Sequence, residues 1–153
     1  MLNPNFAITA MKRTKKELYR LAFIDGLTLV YNRNMLEELR KTLDTTELFV
    51  IIVDVDNLKV INDTKGHSEG DRIIKYVADQ LLCHSPWVFR LGGDEFLVLQ
   101  ETANPSIFNV DIDGASCGLV YKMGGTSLSA AMKEADSFMY RHKQMKRRVR
   151  DGK

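Results

Sequence analysis

RLGGDEFLVL, residues Arg90–Leu99, is the stretch that decides the fold of this 153-residue chain. Two runs of apolar, strand-forming residues meet at two glycines and two acids, a pattern that predicts a β-hairpin. Gly92 and Gly93 permit the positive φ angles of a tight turn and leave room for a ligand near the backbone. Asp94 and Glu95 would project from the tip, where carboxylates can hold a hard cation such as Mg²⁺. A solvated turn with acids at its tip is the alternative.

A second acidic strand end lies upstream. The run Phe49–Val53 is apolar and β-branched, as expected for a central strand buried on both faces, and Asp54-Val55-Asp56 follows it directly. The C-terminal end of a central strand is where α/β proteins commonly bind ligands. If the hairpin pairs beside this strand, Asp54 and Asp94 meet, and their repulsion favours a divalent cation between them. An EF-hand loop starting at Asp54 is excluded because its fifth and sixth positions would lack the required ligand and glycine. Metal-assisted phosphoryl or nucleotidyl transfer is the chemistry that this pattern favours.

A polar, glycine-punctuated segment, residues 57–71, follows the acidic strand end. Backbone N–H groups in a turn directly after a strand form a natural phosphate cradle, and Lys59 would add positive charge there. Asn62 and Asp71 offer an amide and a carboxylate. Such a pair matches guanine, whose two adjacent donors a carboxylate accepts and whose acceptor an amide satisfies. Ordinary turn and helix-cap chemistry is the alternative for these residues.

The composition is that of an ordinary globular domain. Hydrophobic residues make up 44% of the chain and charged residues 27%, and the length suffices for one domain with a substantial core. A net charge of +2 is too close to balance to argue for nucleic-acid binding. Cys83 and Cys117 stand in no metal-ligand spacing, which favours reduced core cysteines of a cytoplasmic protein. Neither a bilayer-spanning apolar run nor a signal-peptide pattern is present, so we expect no membrane contact.

Apolar periodicity predicts alternating helices and strands. Helices are expected over residues 11–24, 34–42, 69–83 and 127–148, strands over 49–53 and 114–121, and the hairpin over 87–99. No linker or internal repeat divides the chain. This order predicts an α/β (α+β) fold in which helices flank a single central sheet.

Taken together, the motifs resemble the GGDEF domain, the diguanylate cyclase family. The signature is Gly92–Phe96, the D-x-D-x-F/L-K-x-I-N-D segment is Asp54–Asp63, and G-H-x-x-G-D is Gly66–Asp71. Further matches are D-x-L-T-x-x-x-N-R at residues 25–33, S-x-G at residues 116–118 and A-D-x-x-x-Y-x-x-K at residues 135–143. We therefore expect a GGDEF domain over residues 18–150, preceded by an N-terminal helical extension over residues 1–17.

The resemblance implies a palm-like nucleotidyl cyclase fold with a mostly antiparallel sheet. It also implies an enzyme that condenses two GTP molecules into cyclic di-GMP and releases two pyrophosphates. Each protomer would bind one GTP, so that a regulated two-fold homodimer brings two half-sites face to face. Neither nucleic acid nor a membrane is an expected partner.

The resemblance also implies the site residues. Mg²⁺ or Mn²⁺ would be held by Asp54, Asp94 and the carbonyl of Val55, with Glu95 beside the metals. The nucleotide would be bound through guanine by Asn62 and Asp71, through phosphate by Lys59, Lys143 and Arg147, and through further contacts by Asn57, Leu58, His67, Gly92 and Gly93. Lys143 and Arg147 are four residues apart on a predicted helix and therefore share one face. A solvated basic helix end is the alternative for that pair.

The chain departs from the family pattern at several places. Leu29 replaces a glycine, Asn57 stands where the family often has Phe, and His142 and Lys146 replace small residues. The window Cys83–Pro86 lacks the Arg-x-x-Asp of the family's product-inhibition site, so we expect no feedback through it. The segment Gln100–Asp113 is too short for the helix that normally follows the hairpin. One face of the sheet should therefore be less covered, which exposes apolar area and offers a place for a protein partner.

Two alternatives to an active cyclase stay open. One is a non-catalytic GTP-binding or interaction module of the same fold, which the missing helix favours. The other is a cyclase with a different cyclic dinucleotide product, against which Asp71 argues because adenine lacks the matching donors. A polymerase with a related palm is remote, since 153 residues leave no room for a template-gripping domain.

Overall fold

The computed structural model describes residues 4–101, 112–150 and 152. Along the chain the elements are α1 (Pro4–Phe23), β1 (Tyr31–Asn32), α2 (Arg33–Thr45), β2 (Leu48–Val55), α3 (Leu58–Lys65), α4 (His67–His84), β3 (Trp87–Gly92), β4 (Glu95–Glu101), β5 (Ala115–Lys122) and α5 (Leu128–Arg150). A five-stranded sheet flanked by helices confirms the predicted α+β class.

The sheet places the predicted hairpin beside the predicted central strand. The strand order is β1-β3-β4-β2-β5, and only the short β1–β3 pair is parallel. Asp54, next to last in β2, pairs with Glu95 at the start of β4 and with Ser116 near the start of β5. The signature turn therefore lies at the C-terminal end of the central strand.

The core has two layers, one on each face of the sheet. Successive side chains of a strand point to opposite faces. Within β2, Val50 and Ile52 belong to one cluster, whereas Ile51, Val53 and Val55 belong to the other. Helices α2 and α5 cover the first cluster, and α4 covers the second. Because both faces of β2 are buried, its sequence is a continuous apolar run rather than an alternating one.

Most predicted elements are confirmed, with boundaries shifted by a few residues. Two elements were not predicted, the two-residue β1 and the eight-residue α3. Helix α3 was expected to be an irregular phosphate-binding turn, because its eight residues are too few for a clear helical period. It begins after Asn57, which adopts a left-handed conformation with φ of 57°. The acidic strand end is therefore followed directly by the N-terminus of a helix, where an irregular loop was expected.

An apolar groove of about 180 Å³ lies at the other end of the sheet, remote from Asp54. Its lining includes Leu39 and Leu43 of α2, and Trp87, Phe89 and Leu99 of the hairpin. The expectation of a missing helix falls mostly on residues 102–111, which lie outside the described residues. No helix in the described ranges combines the length and the apolarity that a bilayer span needs.

Candidate active site at the end of β2

Two acidic segments meet at the end of β2. The backbone N–H of Val55 donates to the carbonyl of Asp94 over 3.0 Å, so the signature turn is held directly against the strand end. Asp54 is largely buried, with 14% of its side chain exposed. Burial raises the pKa of Asp54; a hydrogen bond from Lys143 opposes this, and the negative charges of Asp94 and Asp56 add to it. The repulsion expected between Asp54 and Asp94 is therefore present, and a positive charge already offsets part of it.

The turn that carries Asp94 is held by Arg90 and by the D-x-L-T-x-x-x-N-R motif at residues 25–33, called the N-terminal motif below. Gly93 has φ of 49°, which glycine adopts without steric cost. Arg90 donates to the Gly93 carbonyl over 2.7 and 3.1 Å, and also to Asp25 over 3.1 Å. Asp25 in turn accepts from the backbone and hydroxyl of Thr28. Neither Arg90 nor Asp25 was assigned a role from the sequence, although both lie within the family motifs.

Helix α5 brings basic side chains to the two aspartates of β2. Lys143 donates to Asp54. One turn further, Lys146 lies 3.3 Å from a carboxylate oxygen of Asp56 and also donates to the carbonyl of Ala115. The hydroxyl of Ser116 completes this second cluster by donating to Asp56 over 2.7 Å. The Lys146–Asp56 pair was not predicted. The sequence feature that could have indicated it is the lysine at position 146, which stands three residues after Lys143 where the family has a small residue.

Close packing sets the position of α5 over the sheet. A Cβ at Gly118 would lie 2.0 Å from the carbonyl oxygen of Ala135 and 2.3 Å from the backbone nitrogen of Met139. Only glycine at this position of β5 lets the helix backbone approach so closely. The glycine of the S-x-G motif therefore determines where Lys143, one turn beyond Met139, meets the end of β2.

The predicted guanine-binding residues lie where α3 meets α4. The side-chain oxygen of Asn62 is buried and accepts no hydrogen bond within the described structure. A Cβ at Gly70 would lie 1.9 Å from that oxygen, so glycine is needed for Asn62 to pack there. Asp71 follows Gly70 and is exposed. A buried acceptor without a partner costs free energy, but this oxygen faces Gly70, so a ligand N–H would reach it only after the Asn62 amide rotates.

Most of the remaining predicted residues are exposed to solvent. Asp94 is half-buried, and Leu58 is buried beneath the start of α3. Exposed positions are Glu95, Lys59, Asn57, His67, Gly92, Gly93 and Arg147. These seven positions are therefore open to solvent and accessible to a ligand.

The donor set suits a magnesium ion that shares its ligands with a nucleotide. In the described ranges, no three His, Cys, Asp or Glu side chains gather closely enough to hold a metal by themselves. Mg²⁺ commonly takes only one or two protein carboxylates and completes its shell with phosphate oxygens and water. The carboxylates of Asp54 and Asp94, with a neighbouring backbone carbonyl, fit that requirement.

Comparison with known proteins identifies the family. The family model for the diguanylate cyclase GGDEF domain matches residues 22–110, more than half of the chain. The chain belongs to the GGDEF domain family, as the motifs predicted.

The similar proteins are longer than this chain, and their names describe different activities. Signaling protein YkoW of Bacillus subtilis is 32% identical over 114 residues, which cover 69% of this chain and 14% of YkoW. Diguanylate cyclase DgcM of Escherichia coli is 30% identical over 162 residues, covering 89% of this chain and 40% of DgcM. Cyclic di-GMP phosphodiesterase PdeR of Escherichia coli is 35% identical over 106 residues, covering 65% of this chain and 16% of PdeR. The chain thus spans less than half of each of these proteins.

Solved structures share the fold. The coiled coil and GGDEF domain of DgcB from Caulobacter crescentus, in complex with c-di-GMP, superposes with a TM-score of 0.77. It is 23% identical and covers 92% of this chain and 91% of that one, so it supports the fold alone. A sensory box/GGDEF family protein from the same organism has 30% identity and a TM-score of 0.65, covering 81% of this chain and 99% of its own.

Proposed function

We propose that this chain is a diguanylate cyclase that condenses two GTP molecules into cyclic di-GMP and two pyrophosphates. One observation carries the proposal. Asp54 and Asp94 lie side by side at the end of the central strand, with a basic helix reaching the same point. Family membership supports cyclic di-GMP synthesis as the chemistry to which this geometry belongs.

In the proposed reaction, the 3′-hydroxyl of each nucleotide attacks the α-phosphate of the other, and the bond between that α-phosphate and the β-phosphate breaks to release pyrophosphate. Two such attacks close the ring and release two pyrophosphates. Mg²⁺ or Mn²⁺, held by Asp54, Asp94 and the Val55 carbonyl with Glu95 beside it, would activate that hydroxyl and stabilise the phosphoryl oxygens. This chain's own task is largely positioning, because phosphoryl transfer requires little covalent chemistry from a protein.

Phosphate binding is assigned to two sides of the site. Lys143 and Arg147 lie on one face of α5, and Lys59 lies in the first turn of α3. The backbone N–H groups after Asn57 belong to the first turn of α3, where anions are stabilised. These groups would hold the triphosphate over the aspartates and leave the α-phosphate accessible.

Guanine recognition is assigned to Asn62 and Asp71, with His67 nearby at the start of α4. The unpartnered oxygen of Asn62 supports this assignment, because rotation of the amide toward a bound base would give that oxygen the donor it lacks against Gly70. Asp71 would accept from the two adjacent donors of guanine, which adenine does not present in that arrangement.

A two-fold homodimer is part of the proposal. One protomer holds one GTP, so the attacking hydroxyl and the α-phosphate must come from different protomers. A non-catalytic GTP-binding module is the second candidate. The specific observation that favours it is that PdeR, whose name is that of a phosphodiesterase, is also similar to this chain.

The test is direct identification of products. Purified protein is incubated with GTP and Mg²⁺, and the nucleotides are separated and identified by mass spectrometry. We expect cyclic di-GMP and pyrophosphate from the unmodified protein and none from Asp54→Ala or Asp94→Ala, each variant losing at least about a thousandfold in rate. A competition between ATP and GTP in the same reaction measures base selection, which Asp71→Ala should relax.

Asp79→Ala is the matched control, because it removes an exposed carboxylate of α4 away from this site. It should retain the unmodified rate. GTP binding without any cyclic product would reject the cyclase in favour of the non-catalytic module, and a mixed or adenine dinucleotide would reject the assignment of Asp71.

A further inference from the structure

The two residues assigned above to different ligands are bound to each other. Lys143 is assigned to the nucleotide's phosphates and Asp54 to the metal, yet the Lys143 ammonium donates directly to an Asp54 oxygen. Only 20% of the Lys143 side chain and 14% of the Asp54 side chain are exposed. A carboxylate oxygen that accepts a hydrogen bond from a lysine ammonium in this way is not free to coordinate a divalent cation.

We propose that Lys143 is an exchangeable counter-ion, which neutralises Asp54 in the metal-free protein and transfers to the nucleotide's phosphates when a divalent cation takes its place. The inference rests on the proposed function for the identity of the two ligands. It assigns Lys143 a second role, that of excluding the metal until a nucleotide arrives.

Electrostatics explains why a counter-ion is needed at Asp54. Asp94 and Asp56 both lie close enough to raise the pKa of Asp54, in addition to the effect of burial. Asp56 has its own cation, Lys146, and its own hydroxyl donor, Ser116. Without Lys143, Asp54 would be a largely buried carboxylate close to two other acids, an arrangement that requires a cation beside it.

The exchange requires a side-chain rotation and no movement of α5. The helix backbone is locked against β5 at Gly118, where no Cβ would fit, and Lys146 is held by Asp56 and the Ala115 carbonyl. These contacts flank Lys143 on both sides along the helix. Lysine suits the task because its ammonium is a compact charge on a flexible four-carbon stem.

Coupling between metal and nucleotide follows from this arrangement. A metal that binds alone must displace Lys143 into solvent, whereas a metal that binds with GTP leaves Lys143 facing a triphosphate. Binding of either ligand should therefore strengthen binding of the other, and the coupling is reciprocal.

The first experiment measures Mn²⁺ binding to the nucleotide-free protein by the electron paramagnetic resonance signal of free Mn²⁺. Lys143→Met keeps the length of the side chain and removes the charge. We expect this variant to bind Mn²⁺ about five- to tenfold more tightly than the unmodified protein, and to bind a non-hydrolysable GTP analogue more weakly. Opposite signs for the two ligands are a signature that a purely structural role for Lys143 would not produce.

Arg147→Met is the matched control, since it removes one positive charge from the next turn of the same helix, at an exposed position. It should weaken binding of the analogue and leave Mn²⁺ affinity within about twofold. Equal Mn²⁺ affinity for the two variants would overturn the exchange.

A second measurement follows the unmodified protein itself, and the conservative Lys143→Arg and Lys146→Arg variants serve only to assign its signals. Lysine side chains are labelled with ¹³C, the signals of Lys143 and Lys146 are assigned from Lys→Arg variants, and Mg²⁺ is added. The Lys143 signal should shift while the Lys146 signal stays; a Lys143 signal that ignores saturating Mg²⁺ would contradict the proposal. Neither measurement involves turnover, so exchange without cyclic product would reject only the proposed function.

Discussion

Leu29 carries backbone strain that its neighbours do not share. It has φ of 61°, in the left-handed region where a Cβ is disfavoured, and its side chain is 67% exposed. Its N–H donates to the carbonyl of Asp25, so the loop geometry is held in place by the N-terminal motif. A leucine stands here in place of the family's usual glycine, and the loop nevertheless has the conformation that glycine favours.

We predict that Leu29→Gly is more stable than Leu29→Ala by about 1 kcal/mol in free energy of unfolding, because only glycine relieves the strain at positive φ. Alanine serves as the control, since it loses the same exposed side chain without freeing the backbone. Urea unfolding of the two variants decides the matter, and a less stable glycine variant would show that the loop is unstrained.

At the scale of elements, the Asp25–Arg90 pair ties the loop after α1 to the turn between β3 and β4. Burial acts to raise the pKa of Asp25, but hydrogen bonds from Thr28 and Arg90 outweigh burial and lower that pKa overall. A carboxylate with a lowered pKa stabilises the folded state above its unfolded pKa, near 4, and the contribution is lost as pH falls through the folded value.

Asp25→Asn should therefore lower the free energy of unfolding by about 2 kcal/mol at neutral pH, because Arg90 loses its charged acceptor. The difference from the unmodified protein should shrink below about pH 4, where Asp25 itself becomes protonated. Urea unfolding at several pH values measures both effects.

Glu37→Gln is the control for this prediction, since it removes one partner of an exposed pair on α2 and should leave stability nearly unchanged at every pH. A difference between Asp25→Asn and the unmodified protein that stays constant down to pH 3 would mean that the charge of Asp25 is not what stabilises the loop.

At the scale of the whole molecule, the proposed reaction needs two copies of the chain. One protomer provides one pair of the aspartates that we propose to bind metal, Asp54 and Asp94, at the end of β2. Helix α1 presents exposed apolar side chains at Met11, Leu18 and Leu21, and such side chains become buried when two helices associate.

Specific activity should therefore rise with protein concentration, because the rate per chain depends on the fraction of chains in dimers. A dilution series of the cyclase assay, compared with the mass measured by light scattering at each concentration, tests this. Fusion of a dimeric coiled coil ahead of Pro4 should remove the concentration dependence. Activity per chain that stays constant far below the measured dimer dissociation constant would show that one protomer suffices.

Much of the fold and part of the site were predictable from local patterns. The apolar run before Asp54 predicted a strand buried on both faces, and Gly92-Gly93 predicted the hairpin turn. Helix α3 was missed because eight residues with few apolar positions carry too weak a period. The juxtaposition of Asp54 and Asp94 followed from pairing two strands, which the motifs made predictable.

The sequence by itself determined which chemical groups are present, their order along the chain and the family to which they belong, because strand runs, turn glycines and motif spacing are local properties. Only the tertiary structure decided which charges face each other. In the folded chain, Lys143 pairs with Asp54, Lys146 with Asp56 and Arg90 with Asp25. The partners in each pair are 65 to 90 residues apart, and the pairing depends on how closely α5 approaches β5 and β3 approaches the loop after α1. That approach is set by packing over the whole sheet, at positions such as Gly118, and no local pattern encodes it.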